Sequence, residues 1–377
     1  MDGAHRIADW GLRTALPFWA GHGWDAVHGG YLESVGLDGS PVTGDRRRVR
    51  VQARQIYVFA RAQFEGWQPG LERAVEAGTL LKARAWRAGG MDGWAHMLSP
   101  DGQVIDPVRD LYDHAFILLA LAWLGKASGD PAWFDLADET LAFLDRDMTD
   151  PAGGYAEALG GRLLPRRQNP HMHLFEALMA LHETTGRSDF LDRARAIKAL
   201  FDQHFYDAAH GVLGEFYTAS WAPDSGMPGD TIEPGHLCEW VWLLHEFARL
   251  TGEAVSPAAK ALYETAMRSG INARSGLLYA ATDRAGRALE KTSRTWMQTE
   301  WIRAAARLCR MGDVGAMGQL DRACDATFER HLTPAIEGGW IDQIDGLGAG
   351  ISTRMPASTL YHFFGCIAEC QAMTVDA

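Results

Sequence analysis

The sequence predicts an all-α chain: six helical hairpins closed into an (α/α)6 barrel, a six-hairpin toroid with short β-hairpins at one end. Three periodicities in its 377 residues predict it. Helical segments that are apolar all round alternate with amphipathic ones. One polar or ionisable residue recurs near the start of each apolar segment: Arg54, Tyr112, His173, His236, Glu300 and His362, at intervals of 58, 61, 63, 64 and 62. A glycine followed by an aromatic or aliphatic residue recurs between the segments. Repeats of this length are an architectural signature. If the units close into a ring, all six side chains arrive at one end of one cavity.

Taken in order, helices are expected near 4–20, 50–66, 70–88, 110–128, 131–147, 170–185, 189–205, 234–251, 256–269, 294–311, 313–331 and 355–372. AFILLALAWL (115–124), HLFEALMALHE (173–183), LCEWVWLLHEFA (237–248) and the segment from Met355 to Cys370 have no polar face and must be covered on all sides. In FLDRARAIKALFDQHF (190–205), Leu191, Ile197, Leu200, Phe201 and Phe205 make one apolar stripe, as in a half-exposed helix. Gly29-Gly30-Tyr31, Gly93-Trp94, Gly153-Gly154-Tyr155, Gly211-Val212-Leu213, Gly276-Leu277-Leu278 and Gly338-Gly339-Trp340 each open a strand-like stretch. Several turn through Asp-Gly or Gly-Gly pairs, which is hairpin chemistry. Open solenoids share the alternation, but neither end of the chain carries a polar capping unit, so closure is expected. No linker or composition break divides residues 1–377, and one catalytic domain is expected.

A net charge of −12 argues against nucleic acid or an anionic membrane as partner. The five cysteines form no paired framework and fit a reducing setting. The N-terminus reads as no signal peptide, and no apolar run approaches the roughly 20 residues of a membrane span. A cytoplasmic protein, monomer or homodimer, is expected.

Asn169-Pro170 reads as an N-cap followed by proline at the first helical position. Glu233-Pro234 and Met355-Pro356 mark two more helix starts. His173, His236 and His362 thus fall in first or second turns, where the positive end of the helix dipole favours neutral imidazole, the form a general base needs. Three histidines at corresponding places of one repeat outweigh the reading of each as a hydrogen-bonded core residue. Glu239 follows His236 by one turn on the same face, either to fix its tautomer or to pair with a neighbouring arginine. Glu300 has the same two readings, and Glu176 stands likewise toward His173. Arg54 in an apolar helix needs an anionic or carbonyl partner, from a structural carboxylate or a substrate oxygen. Aromatic residues beside these starts suit the apolar faces of a polyol. The His171/His173 spacing points the two rings apart, so neither metal nor cofactor is expected. Arg46-Arg47-Arg48 and Arg166-Arg167 read as anion receivers or as solvated surface charge.

Together, Val-Gln-Ala-Arg54-Gln-Ile-Tyr57, Arg109-Asp-Leu-Tyr112-Asp-His114-Ala-Phe116, Asn169-Pro-His-Met-His173-Leu-Phe-Glu176, Pro234-Gly-His236-Leu-Cys-Glu239-Trp240, Trp296-Met-Gln-Thr-Glu300 and Tyr361-His362 resemble the N-acylglucosamine 2-epimerase superfamily. That group includes mannose isomerase, sulfoquinovose isomerase and cellobiose 2-epimerase. The resemblance spans residues 10–370 and implies the same barrel, with metal-independent chemistry at C1 and C2 of an aldose. It implies that His236 and His362 are the acid/base pair, that Glu239 supports His236, and that His173 serves ring opening or proton transfer. Arg54 would stabilise the developing oxyanion. Tyr112, Asn169, Trp296 and Glu300, with Glu176 beside His173, would bind the sugar. The expected reaction is aldose–ketose isomerisation of a mannose-like monosaccharide through a cis-enediolate, with 2-epimerisation of an N-acylglucosamine or of mannose and glucose as the second reading. Two further classes are an inverting glycoside hydrolase using Glu239 and Glu300, and a non-catalytic helical toroid.

Overall fold

The computed structural model describes residues 2–161 and 164–375; residues 1, 162–163 and 376–377 of the expected domain lie outside them. The helices are α1 (Asp2–Trp10, continued through Gly11–Ala15 and Leu16–His22), α2 (Val49–Arg61), α3 (Leu71–Ala85), α4 (Leu111–Ser128), α5 (Ala132–Phe143) and α6 (Asn169–Thr185). They continue as α7 (Asp189–Leu200), α8 (Pro234–Thr251), α9 (Pro257–Ser269), α10 (Thr295–Arg310), α11 (Val314–Thr327) and α12 (Thr359–Val375). Even-numbered helices form the inner ring, each packed against the next, and α12 returns to α2. Odd-numbered helices lie outside: α3, α5, α7, α9 and α11 each against the inner helix before it, and α1 against α11 and α12. The expected (α/α)6 barrel is present.

Hydrophobic patterning sorts the two rings. Every residue of α4 from Ala115 to Leu124 is buried, whereas α7 buries Phe190, Leu191, Ala194, Ile197 and Leu200 and leaves its charges in water. Local chemistry sets the ends. The Asp110 carboxylate accepts from the backbone N–H groups of Tyr112 and Asp113 and caps α4. Gly186, at φ 74°, ends α6 in the left-handed conformation.

Two helix starts differ from expectation. Asn169 is the first residue of α6, with Gln168 before it at the cap position; this frees the Asn169 side chain for other work. Arg354–Pro356 is a strand, and α12 begins at Thr359. The strand wins because it pairs antiparallel with Ser34–Gly36, joining the first repeat to the last. The β-structure is likewise only partly hairpin. Met97–Leu98 with Val104–Asp106, Tyr206–Asp207 with Val212–Leu213, and Ala281–Thr282 with Ala288–Glu290 are local pairs. Arg47–Arg48 with Met97–Leu98, Arg166–Arg167 with Phe216–Tyr217, and Ser293–Arg294 with Gln343–Ile344 join successive repeats. All of these lie at the end where the inner helices start.

A bond invisible in the sequence underlies the glycine-plus-aromatic repeat. In four of the six repeats a backbone N–H one or two residues after the glycine donates to a buried side chain on the next inner helix. Tyr31 donates to Gln52 Oε1 (2.9 Å), Trp94 to His114 Nε2 (3.0 Å), Tyr155 to His171 Nε2 (3.0 Å) and Leu278 to Gln298 Oε1 (3.0 Å). His114 and His171 are therefore structural acceptors. Burial pushes them down to about 4 and about 3, which keeps the accepting nitrogen unprotonated.

Candidate active site

The inner helices surround a cavity of about 750 Å³ at their N-terminal end. Each contributes from its first or second turn: Arg50 and Arg54 from α2, Tyr112 from α4, Asn169 and His173 from α6, His236 from α8, Trp296 from α10, and Thr359 and His362 from α12. Strands and loops supply the rim, including Glu33, Arg48, Glu233, Glu290, Arg294, Asp342 and Arg354. The opposite end of the ring is sealed by buried ion pairs, Arg307 with Glu246 (2.8 Å) and with Glu369, while Trp242 Nε1 donates to Glu369 (2.7 Å).

Trp296 packs against both histidines of greatest interest. Its ring centroid lies 5.0 Å from that of His236 and 5.3 Å from that of His362. The surroundings of the two imidazoles are opposite in charge. His236 Nδ1 is 2.9 Å from Glu215 Oε1 and 3.6 Å from Glu233 Oε2. Burial alone would favour neutral imidazole, but these carboxylates outweigh it and lift His236 to about 10. His362 is held well below the usual histidine range by burial and by Arg54 and Arg303, although its Nδ1 meets Glu300 Oε1 at 2.7 Å. At neutral pH one ring carries a proton that the other lacks. The same helix-start placement thus gives a neutral His362 as expected and a charged His236, because local carboxylates override the dipole.

His173 is pushed down to about 3 by burial. It stacks on Tyr112 at 5.2 Å and packs against Phe116 at 4.5 Å. Arg54 donates to the Tyr112 hydroxyl (2.9 Å) and to the Ser358 carbonyl (3.4 Å), and its guanidinium lies 4.1 Å over the Phe116 ring. No carboxylate pairs with Arg54 among the described residues; its partners there are a hydroxyl and a backbone carbonyl. Asn169 Nδ2 sits 3.1 Å from His236 Nε2.

Of the three glutamates, Glu239 misses the histidine expected of it, whereas Glu176 stands 3.5 Å from His173 Nδ1 and Glu300 pairs with an arginine. Glu239 does not reach the ring of His236; its two oxygens are buried without hydrogen-bond partners, 3.8 Å at nearest from His173 Nδ1. Burial and neighbouring Glu300 raise it well above the carboxylate range, which makes it a neutral acid. Glu176 and Glu300 lie beneath the cavity wall rather than on it. Both take a bond from Arg303, at 2.9 and 3.4 Å, and Tyr361 donates its hydroxyl to Glu176. Nor can Glu239 and Glu300 act as an inverting pair. Their oxygens approach within 4.8 Å of one another, short of the roughly 6.5–9.5 Å that such a pair needs. Most of the arginines in the two runs are engaged, with Arg46 exposed: Arg47 with Asp25, Arg48 with Glu33, Arg167 with Glu157, and Arg166 with backbone carbonyls of Ala219, Gly153 and Tyr155.

Sets of three His, Asp or Glu that could receive a cation are His96/Asp110/Asp113, His173/Glu176/Glu239, Glu215/Glu233/His236 and Glu239/Glu300/His362. In each set an arginine, imidazole or amide already bonds to one carboxylate, while Glu239, shared by two sets, keeps both oxygens without a hydrogen-bond partner. Glu215 carries no repeat or motif signal, since it lies on the turn between Val212–Leu213 and Phe216–Tyr217. Arg303 was legible as a charge three residues after Glu300 on an apolar helix face.

A family model described as N-acylglucosamine 2-epimerase matches residues 30–366. Mannose-6-phosphate isomerase of Rhizobium meliloti is 35% identical, covering 98% of this chain and 96% of its own. D-mannose isomerase of Thermobifida fusca is 29% identical over 82% of this chain and 80% of its own. The structure of cellobiose 2-epimerase from Spirochaeta thermophila superposes with a TM-score of 0.86 at 26% identity, covering 99% and 97% of the two chains. Barrel, cavity and sequence agree: this chain belongs to the N-acylglucosamine 2-epimerase family and is a carbohydrate isomerase or epimerase.

Proposed function

We propose that this chain is an aldose–ketose isomerase of a mannose-type monosaccharide, working by proton transfer through a cis-enediol. The observation that carries it is the pair of imidazoles packed on Trp296, His236 against the Glu215 carboxylate and His362 in the field of Arg54 and Arg303. In the open-chain aldose, neutral His362 takes the C2 proton, and the C–H electron pair becomes the C1–C2 double bond. His236 gives its Nε2 proton to the carbonyl oxygen at C1, while Arg54 steadies the charge developing there. His236 then recovers a proton from the C2 hydroxyl, while His362 exchanges its proton with solvent through the cavity it lines and delivers one to C1, and the ketose results. Every proton is accounted for between substrate, two rings and solvent. His173, neutral, assists ring opening. Tyr112, Asn169 and Trp296 position the sugar, and Glu300 and Glu176 act from below through His362 and His173.

The relatives named for mannose and mannose 6-phosphate support a mannose-type substrate. The test is to offer mannose, mannose 6-phosphate and N-acetylmannosamine separately and read products by NMR, with and without EDTA. Formation of the 2-ketose from either mannose compound, undiminished by EDTA, is the expected result. A 2-epimer without ketose would replace this reading with 2-epimerisation. Loss of activity with EDTA would replace the two-ring proton transfer with metal-assisted chemistry.

A further inference from the structure

Glu215 is 3% exposed, and it is tied into a chain of bonds with one polarity. The chain starts at Trp240, whose indole N–H can only donate. It donates to Gln168 Oε1 at 2.9 Å. The amide of Gln168 therefore cannot turn over, and its Nε2 must face Glu215 Oε2, at 3.0 Å. The backbone N–H of Gln168 also donates to the Glu215 carbonyl, at 3.3 Å. The remaining oxygen, Oε1, faces His236 Nδ1 at 2.9 Å. Gln168 Nε2 also lies 3.2 Å from Nδ1, farther than Oε1; a carboxylate only accepts, so Nδ1 carries the hydrogen toward Glu215, and Nε2 of the ring is left at the cavity, beside Asn169. The Asn169 Oδ1 is buried without a partner. Turning that amide over would let Oδ1 accept from a protonated Nε2.

Of the other groups around the ring, Glu233 occupies the cap position at the start of α8, Asn169 reaches it from α6 and Trp296 covers it from α10, while Glu239 of α8 acts on it from farther off. His362 of α12 faces the same space, and Arg294 acts on Glu233. The carboxylate in hydrogen-bond contact is Glu215.

We propose that Glu215 is a positioning residue for the proton transfer: braced by Trp240 through Gln168, it orients His236 and keeps it as an imidazolium with Nε2–H toward the sugar. His236 is then the acid and His362 the base when the aldose is consumed. This rests on the isomerase reading above for its consequence, but the state of the ring can be measured without substrate.

The decisive variant is Glu215→Gln, which keeps the shape and removes the charge. Imidazole 15N NMR should show wild-type His236 protonated through neutral pH. In Glu215→Gln its titration should move to lower pH by about 1–3 units. The alkaline limb of the kcat/KM profile should move with it while the acid limb stays. With His236 then titrating between about 7 and 9, its protonated fraction and with it kcat should fall by up to about tenfold at pH 8, with KM changed far less. Glu215→Asp, which retains the charge, should restore the wild-type alkaline limb. The proposal is overturned if the variant leaves both the His236 titration and the alkaline limb in place, or if wild-type His236 titrates in the ordinary histidine range. The wild-type titration decides even if Glu215→Gln does not fold. An enzyme with no isomerase activity but a charged His236 would sink the isomerase reading alone.

Discussion

His236 and His362 are one residue type in two opposite surroundings, and their difference is made of named neighbours. Glu215 and Glu233 face the first; Arg54 and Arg303 stand by the second. The sign for activity follows. His362 is already neutral at neutral pH, and His236 loses its proton only as pH rises through about 10. A kcat/KM profile should therefore stay level from neutral pH to about pH 9 and fall above it; a fall centred near pH 6.5 would contradict the assignment. Arg54 makes no ion pair among the described residues, so Arg54→Met should leave the protein folded and cost about 10²–10³ in kcat, measured by steady-state kinetics beside a thermal melt. The histidines themselves were legible because they fall at corresponding places of a repeat. Their partners were not. Glu239 is one turn from His236 in the helix and looked like its carboxylate, yet the carboxylate that reaches the ring comes from Glu215, on a turn with no period to betray it.

At the scale of elements, the clamp between an inter-helix turn and the next inner helix explains why glycine recurs there. Gly154 sits at φ +69°, and a Cβ on it would lie 2.6 Å from His171 Nε2, the atom that accepts the Tyr155 N–H. Gly154→Ala should cost about 1–2 kcal/mol from the left-handed backbone alone, and more if His171 is displaced. Urea unfolding with an unchanged m-value would measure it. The twelve helices were legible from burial periodicity, which survives local detail. The starts of α6 and α12 were misplaced for different reasons. Asn169 has cap chemistry but lies inside the first turn, where its amide meets His236. Met355-Pro356 looks like a helix start, yet a long-range strand pairing captures it, and no local signal records a partner some 320 residues away in the chain.

Across the whole molecule, the strand pair Ser34–Gly36/Arg354–Pro356 and the packing of α12 on α2 turn six repeats into a ring. An open solenoid can unfold repeat by repeat, whereas a closed one couples all six. Calorimetry should show a single transition; separated transitions would contradict that coupling. Arg303 ties the ring together beneath the cavity, bonded to Glu176 and Glu300 and stacked 3.5 Å over Trp242. Arg303→Met leaves two buried carboxylates without their cation and should destabilise by about 3–5 kcal/mol, read by urea unfolding. Ring closure was legible from the repeat count and the unpolar ends. Which layer of the cavity floor each glutamate occupies was not, because one helical face at i and i+3 cannot tell the wall from the support beneath it.

The most direct test of the central claim is the fate of the substrate hydrogens in heavy water. Mannose or mannose 6-phosphate is converted by the wild-type protein, and the product is read by NMR. Two-ring proton transfer predicts a 2-ketose carrying solvent deuterium at C1, with both product and label lost in His362→Ala. A ketose with ordinary hydrogen at both C1 positions, or a 2-epimer labelled at C2 with no ketose, would contradict it.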